Sequence, residues 1–303
     1  MGVIFSLGDA PGNPVIDRDV CTVCGVCAAI CPVEVLTIST TEISIDNTVA
    51  FGCIACGQCM MVCPLSCISV TGRRLSPGNI IDLPSPGARA TAAQLSALLL
   101  ARRSIRSFTA DEVSHEVIDE VLAASATAPM GIPPWEVGVT VFHGRDKVAE
   151  LARDTADSYR GFLKLFDNAA VKQLSRLFMK KNVWQQFQSF ILPLGRILVD
   201  GKERGIDYVF YNAPVALMFH TTPYADGADA FIACTYAMLA AESLGLGTCM
   251  IGCSAPVVGR RPGLLKKYGM PDGNTPKIVL IMGYHDSPHR RAIRRQFHSL
   301  NYY

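Results

Sequence analysis

The chain has 303 residues, half of them hydrophobic, and a formal net charge of +2. That length suits about two domains, and that apolar content excludes a disordered chain. The near-neutral charge gives no ground for a nucleic-acid partner or an acidic tail. No apolar run reaches the roughly 18 residues of a membrane span, since the longest, Ala230 to Ala241, is short and broken by Thr235. The first residues, MGVIFSLGDAPGNP, lack the basic start and long apolar stretch of a secretory leader. Twelve cysteines are present, nine of them between Cys21 and Cys67. In a large, leaderless chain that predicts metal or cluster ligation in a reducing, cytoplasmic compartment over a disulfide scaffold.

The run Cys21-x2-Cys24-x2-Cys27-x3-Cys31-Pro32 recurs as Cys53-x2-Cys56-x2-Cys59-x3-Cys63-Pro64, 32 residues later at all four cysteines. The pattern therefore predicts a pseudo-symmetric pair. Three thiolates on one tight loop can hold three corners of an iron–sulfur cube, and the fourth must come from elsewhere. Gly25 and Gly57, each after a second cysteine, suit close backbone approach to inorganic sulfide. Structural zinc is the alternative. It usually shows well-separated C-x2-C pairs, often with histidine, whereas no histidine precedes His115 here. Residues 17 to 70 resemble bacterial two-cluster ferredoxins, in which the cysteine before proline crosses to the other cluster. The resemblance implies one [4Fe–4S] cluster on Cys21, Cys24, Cys27 and Cys63, and a second on Cys53, Cys56, Cys59 and Cys31. Cys67 stands outside the pattern and is expected to pack beside a cluster. Residues 1 to 75 carry a net charge of −3 and the remainder +5, complementary signs that fit an electron-transfer module.

Ser76 to Ala90, SPGNIIDLPSPGARA, has the proline and glycine content of a connector. A helix is predicted next, opened by the capping-box pair Thr91 and Gln94 and carrying Leu95, Leu98 and Leu99 at helical spacing. It runs into Arg102-Arg103-Ser104-Ile105-Arg106-Ser107-Phe108. Arginines at a helix C-terminus suit its dipole, while guanidinium forks beside a serine also make a phosphate site. Then come the loop Ala128 to Trp135, an alternating strand through Val137, Val139 and Val141, and Phe210-Tyr211-Asn212-Ala213-Pro214-Val215. A small-residue helix from Ala228 to Leu244 leads into Gly245-Leu-Gly-Thr-Cys-Met-Ile-Gly252. The last strand, Lys277 to Met282, is followed by a basic tail with Arg290 and Arg291. Residues 150 to 205 show amphipathic helical stretches with Trp184, Phe187 and Phe190.

In this order and spacing, residues 91 to 295 resemble FMN-dependent nitroreductases, whose RRSxR segment, loop ending in Pro-Trp and G-L-G-T-C-x-x-G run are matched here. The resemblance implies an α+β fold: a two-cluster ferredoxin domain over 1–75, a linker over 76–90 and a nitroreductase-like FMN domain over 91–303. It implies that Arg102, Arg103, Ser104 and Arg106 hold the FMN phosphate and ring edge, with Arg290 or Arg291 completing the phosphate site. Ile251, Gly252 and Cys253 would lie by the redox-active nitrogen, and Pro129, Met130 and Gly131 would contact the ring. Where many members carry Asn and Gln before Pro-Trp, this chain has Ile132 and Pro133, which implies backbone contacts and a more apolar pocket. Trp135 is expected in the core, as are Cys234 and Cys249. No G-x-G-x-x-G follows a strand, so no Rossmann domain is predicted. The expected activity is a flavin oxidoreductase with no dedicated protein acid. It would pass electrons from a low-potential donor such as reduced ferredoxin through the clusters to FMN and a small organic acceptor, as an intertwined homodimer. An NAD(P)H nitroreductase with an accessory ferredoxin domain and a non-enzymatic carrier are the other readings.

Overall fold

The 32-residue repeat of the sequence is a repeat of backbone conformation. In the computed structural model, which describes residues 11–49, 52–129, 131 and 136–303, the cysteine-rich part runs β1 (Asn13–Ile16), α1 (Val26–Ala29), β2 (Leu36–Ile38), β3 (Ile43–Ile45), α2 (Gln58–Val62) and β4 (Ile68–Thr71). β1 pairs antiparallel with β4, and β2 with β3. Val23 and Ala55 both have φ 54°, Gly25 and Gly57 φ 77° and 75°, and Glu34 and Ser66 φ 56° and 50°. Each left-handed glycine caps the start of its short helix, a conformation glycine adopts without steric cost. Ile16, Leu36, Ile43, Met60, Ile68 and Val70 are buried in one core, with the cysteines packed around it.

The chain divides into two compact units, one of Met1–Arg89 with Pro129–Val137 and Thr222–Asp226, the other of the remaining residues. Residues 76 to 90 are exposed and hold only 3-10 turns at Pro77–Asn79 and Pro86–Ala88.

In the second unit the capping box forms as its sequence predicts. The Thr91 N–H donates to Gln94 Oε1 at 2.8 Å and the Gln94 N–H to Thr91 Oγ1 at 3.3 Å, opening α3 (Ala92–Ala101). α4 (His115–Ala126) and β5 (Val137–His143) follow. Residues 150 to 205 are helical as expected: α5 (Arg145–Asp167), α6 (Ala169–Phe178), α7 (Lys181–Gln186), a π-helical turn at Phe187–Ile191 and α8 (Leu192–Glu203). Trp184 stacks on Phe187 at 5.7 Å in a satellite core with Leu192. β6 (Val215–Thr221), α9 (Gly227–Ser243), β7 (Gly247–Ile251), α10 (Ala255–Val258), α11 (Pro262–Lys267) and β8 (Thr275–Gly283) complete the order. The sheet runs β5-β6-β8-β7, with β8 antiparallel to both β6 and β7. All of β6 is buried. The Ser125 hydroxyl donates to the Ala233 carbonyl at 2.9 Å, pinning α4 to α9. Cys234 and Cys249 lie in the core as expected, 0% and 2% exposed.

The apolar residues of α3 are not covered as an amphipathic helix predicts. α3 buries no residue, and Leu95 and Leu99 are 48% and 51% exposed. Nor does β5 bury its valine face: Phe142 is buried while Val141 is exposed. β5 is an end strand of the sheet; alternation along a strand assigns its side chains to two faces, and what packs on each face decides which is buried. Met130 and the expected core residue Trp135 lie outside the described residues.

Candidate functional site

The loops before α1 and α2 gather the cysteines in two sets. One hollow is lined by Cys21, Cys24, Cys27 and Cys63, with Cys67 beside them. A second is lined by Cys31, Cys53, Cys56 and Cys59, with Val35 beside them. All twelve cysteines are free thiols. Bonds through Asn47 and Gly12 fix Cys53: the Asn47 side chain accepts the Cys53 N–H at 3.0 Å and donates to the Gly12 carbonyl at 3.0 Å, and the Gly12 N–H donates to the Cys53 carbonyl at 2.7 Å. Burial pushes the Cys27, Cys53 and Cys59 thiols up, Cys59 to about 12. Metal loading would therefore release protons here. Cys63 behaves oppositely. Burial is outweighed by hydrogen bonds from the Cys67, Leu65 and Ile68 backbone, so its thiol ionises more readily than usual. Cys67, 3.4 Å away sulfur to sulfur, is pushed up to about 12 by burial and by Cys63. Among the described residues no three His, Cys, Asp or Glu side chains converge on a single ion; a four-iron cube distributes its ligands over four metals instead.

In the second unit, the arginine segment leaves α3 and runs beside β7. Ser104 bridges in parallel to Thr248, and the Ile105 N–H donates to the Thr248 carbonyl at 2.8 Å. Gly247 makes room for this: a Cβ there would lie 2.7 Å from Ile105 Cγ1. The Arg103 guanidinium donates to the Arg102 carbonyl at 2.6 Å and to the Arg291 carbonyl at 3.1 Å. Sequence-distant members of the predicted phosphate site thus meet, although Arg103 spends its forks on carbonyls. Ser104 and Arg106 are exposed and Arg102 half-buried. Arg106 sits over the Tyr211 ring, 5.8 Å from its centroid, a cation–π distance. Tyr211 and Asn212 have φ 57° and 54°, a turn that Asp207 holds by accepting the Val209 and Phe210 N–H groups at 2.9 Å and that of Asn212 at 3.1 Å. The sequence named Tyr211 only within the Phe210 to Val215 motif and did not single out Asp207; an aspartate two to five residues before the N–H groups it accepts is the signal that points to such a cap.

Ile251 ends β7, Gly252 follows it exposed, and Cys253 is half-buried. A Cβ on Gly252 would meet open space. The Tyr159 hydroxyl donates to the Cys253 carbonyl at 3.1 Å, and Thr155 and Ser254 share a buried hydroxyl pair at 2.8 Å. Burial pushes the Cys253 thiol up to about 11, so it is no ready nucleophile. Thr248 Oγ1 is buried with no hydrogen-bond partner among the described residues. Pro129 and Gly131 are exposed and belong to the segment grouped with the first unit.

Residues 99–284 match the profile of the Nitroreductase family, and residues 13–64 that of a 4Fe-4S dicluster domain. The first match spans more than half of the chain, and the chain belongs to the Nitroreductase family. It is a nitroreductase-family oxidoreductase with an N-terminal ferredoxin domain. Among solved structures it is similar to a nitroreductase with bound FMN from Bacteroides fragilis, with 19% identity and a TM-score of 0.50 over 69% of this chain and 98% of that one. A nitroreductase with bound FMN from Desulfitobacterium hafniense matches at 19% identity and TM-score 0.48, over 69% and 97%. An FMN-dependent nitroreductase from Clostridium difficile matches at 19% and 0.47, over 70% and 100%. The first of these likenesses shows the nitroreductase fold. No curated protein matches the chain. Among the described residues no helix is long and apolar enough to cross a membrane.

Proposed function

We propose that the chain is a flavin oxidoreductase that takes electrons from a low-potential one-electron donor, such as reduced ferredoxin, and passes them through two [4Fe–4S] clusters and FMN to an organic acceptor such as a nitroaromatic or a quinone. The observation that carries this reading is the partition of eight cysteines into two sets of four in a chain that also carries a nitroreductase-family unit. Residues 1–75 would be the cluster domain, 76–90 the linker and 91–303 the FMN domain. A reducing, cytoplasmic compartment suits eight cluster cysteines and four further cysteines outside disulfides.

The donor sets fit these groups. Four thiols surround each hollow, and left-handed Gly25 and Gly57 keep side chains off the loops. Arg102, Arg106, Arg290 and Arg291, with the Ser104 hydroxyl, are the donors for a phosphate. Arg103 ties the two basic segments together. Family membership and the bound FMN of the B. fragilis nitroreductase support that flavin. When bound, these groups supply one-electron transfer and its conversion to two-electron chemistry. The chain orients and exposes them. Gly252 leaves its backbone uncovered, Tyr159 fixes the Cys253 carbonyl, and Ile251 would present further backbone to the ring.

A homodimer accords with the apolar surface of α3 and α9. Leu95, Leu99 and Leu100 on α3 and Phe231 and Tyr236 on α9 are all exposed, although α9 is apolar all round and such a helix belongs in an interior.

Anaerobic turnover of a nitroaromatic and a quinone with reduced ferredoxin or NADPH, by the full chain and by the chain lacking residues 1–75, tests the reading. Ferredoxin-driven turnover that the deletion abolishes, with FMN retained, is the expected result. Full ferredoxin-driven turnover without residues 1–75 sinks it, and turnover by NADPH alone favours an accessory ferredoxin domain. Absence of turnover with every donor leaves a carrier.

A further inference from the structure

The two halves of the cluster domain align position for position around their hollows, and their linings differ at Thr22 and Ile54, at Val26 and Gln58, and at one position that carries a thiol. Cys63 and Cys31 are equivalent by the 32-residue offset, as are Cys67 and Val35. The equivalence is structural too: the Asp17 N–H donates to the Cys67 carbonyl at 2.8 Å, and the Asp46 N–H donates to the Val35 carbonyl at 2.8 Å. Each residue stands just before the strand that follows its half's last cysteine, β4 or β2. Each lines the hollow of its own half. One hollow thus meets an S–H group where the other meets an isopropyl group. The Cys67 sulfur lies 3.4 Å from that of Cys63, within reach of a sulfur hydrogen bond.

A thiol is a weak donor, but a metal-bound thiolate is a charged acceptor, and hydrogen bonds to cluster sulfurs are among the factors that set cluster potentials. Reduction adds one electron and no proton, so the reduced state is the more negative one. A donor to a ligating sulfur stabilises that state preferentially. Resting on the cluster reading above, we infer that Cys67 is a positioning residue: it donates its S–H to the Cys63 sulfur and raises the reduction potential of the cluster held by Cys21, Cys24, Cys27 and Cys63, a contact that Val35 denies the other cluster. Cys67 then breaks the symmetry of the repeat at a ligating sulfur, biasing a shared electron toward its own half. Other asymmetries exist. Arg73 donates to the Ile54 carbonyl at 3.4 Å beside the second set, and Cys59 is buried while its equivalent Cys27 is half-buried. The prediction therefore concerns the shift each substitution produces, not the order of the two parent potentials.

The test is an anaerobic redox titration of the intact holoprotein, followed by electron paramagnetic resonance and paired with iron analysis. Cys67→Val, which copies Val35, should keep parent iron content and lower one of the two potentials. The expected change in electron partition between clusters is about three- to tenfold, and tenfold corresponds to about 59 mV for one electron. Cys67→Ser retains a donor and should stay nearer the parent. Val35→Cys should raise the other potential. Unmoved potentials in Cys67→Val with full iron overturn the inference alone. Loss of about half the iron in Cys67→Val also overturns it, because Cys67 would then be a ligand. A parent chain holding zinc, or fewer than two clusters after anaerobic reconstitution, takes down the cluster reading and this inference with it.

Discussion

Arg103 donates a guanidinium N–H to the carbonyl of Arg291, 188 positions away in sequence, at 3.1 Å. The bond joins the arginine segment after α3 to the basic tail after β8. Arg103 therefore ties the two basic segments together, and Arg102 beside it is the guanidinium proposed above for the flavin phosphate.

Arg102→Ala removes a charge-assisted contact worth about 1.5–3 kcal/mol. FMN binding should weaken by roughly ten- to a hundredfold. Riboflavin, lacking the phosphate, should lose much less. Equal losses in fluorescence titrations with the two flavins would assign Arg102 to folding instead.

Two glycines of the same motif separate packing from binding. A Cβ on Gly247 would lie 2.7 and 2.8 Å from Ile105 Cγ1 and Cβ, whereas a Cβ on Gly252 would meet nothing within 4 Å. Gly247→Ala should cost about 1–3 kcal/mol through overpacking and displace the arginine segment, lowering both Tm and FMN affinity. Gly252→Ala should leave Tm unchanged and weaken FMN alone. A thermal melt with and without flavin distinguishes them, and an unaltered FMN affinity in Gly252→Ala would remove that residue from the flavin site.

Anaerobically prepared chain should hold about eight irons, following from two four-iron sites. Cys24→Ser should reduce that toward about four and leave FMN content intact. A Cys24→Ser protein that keeps all its iron would mean that Cys24, exposed at the first hollow, is not a ligand.

Asp154 on α5 meets Lys267 at 2.5 Å and Tyr268 at the end of α11, and Lys267 also meets Glu150 at 2.7 Å. Burial alone would raise the Asp154 carboxyl, but the bonds from Lys267 and Tyr268 outweigh it and hold it below the usual 3.8. A carboxyl depressed in the folded state contributes stability above its ordinary value, and loses it as pH falls through its folded value. Lys267→Met should therefore change Tm little near pH 7, since such partly exposed pairs are worth at most about 1 kcal/mol. It should also flatten the fall in Tm below about pH 4. Parallel acid limbs in the two proteins would show that Lys267 does not set the Asp154 titration.

The features legible in sequence are those built from neighbours along the chain. The cysteine runs, the glycines that follow them and the Thr91–Gln94 cap each need only a few consecutive residues, and their geometry appears where the spacing puts it. The small-residue helix differs from its expected span by one residue at each end. What could not be read depends on partners distant in sequence. Local spacing marks Leu95 and Leu99 as apolar but cannot say what covers them. Nothing in the valine alternation of β5 tells that it ends the sheet. The Arg103–Arg291 bond and the Asp207-held turn leave no periodic trace. Cys67 was legible as an exception to the pattern, yet its meaning needed the matching of each half against the other.

The pairing of β1 with β4 sets Asn13 opposite Thr71, and a Cβ on Gly72 would come within 3.3 Å of Gly12 Cα. The ferredoxin part thus receives and releases the chain at one point, like a loop closed by a clasp. Such a module is portable: it can be spliced onto a host without stretching either. It should also tolerate rewiring. A circular permutant with a short linker from Thr71 to Asn13, cut in the exposed Ser39–Glu42 turn, should carry the iron of the parent. Its failure to do so would show that β2 and β3 must be joined directly for the second half to form.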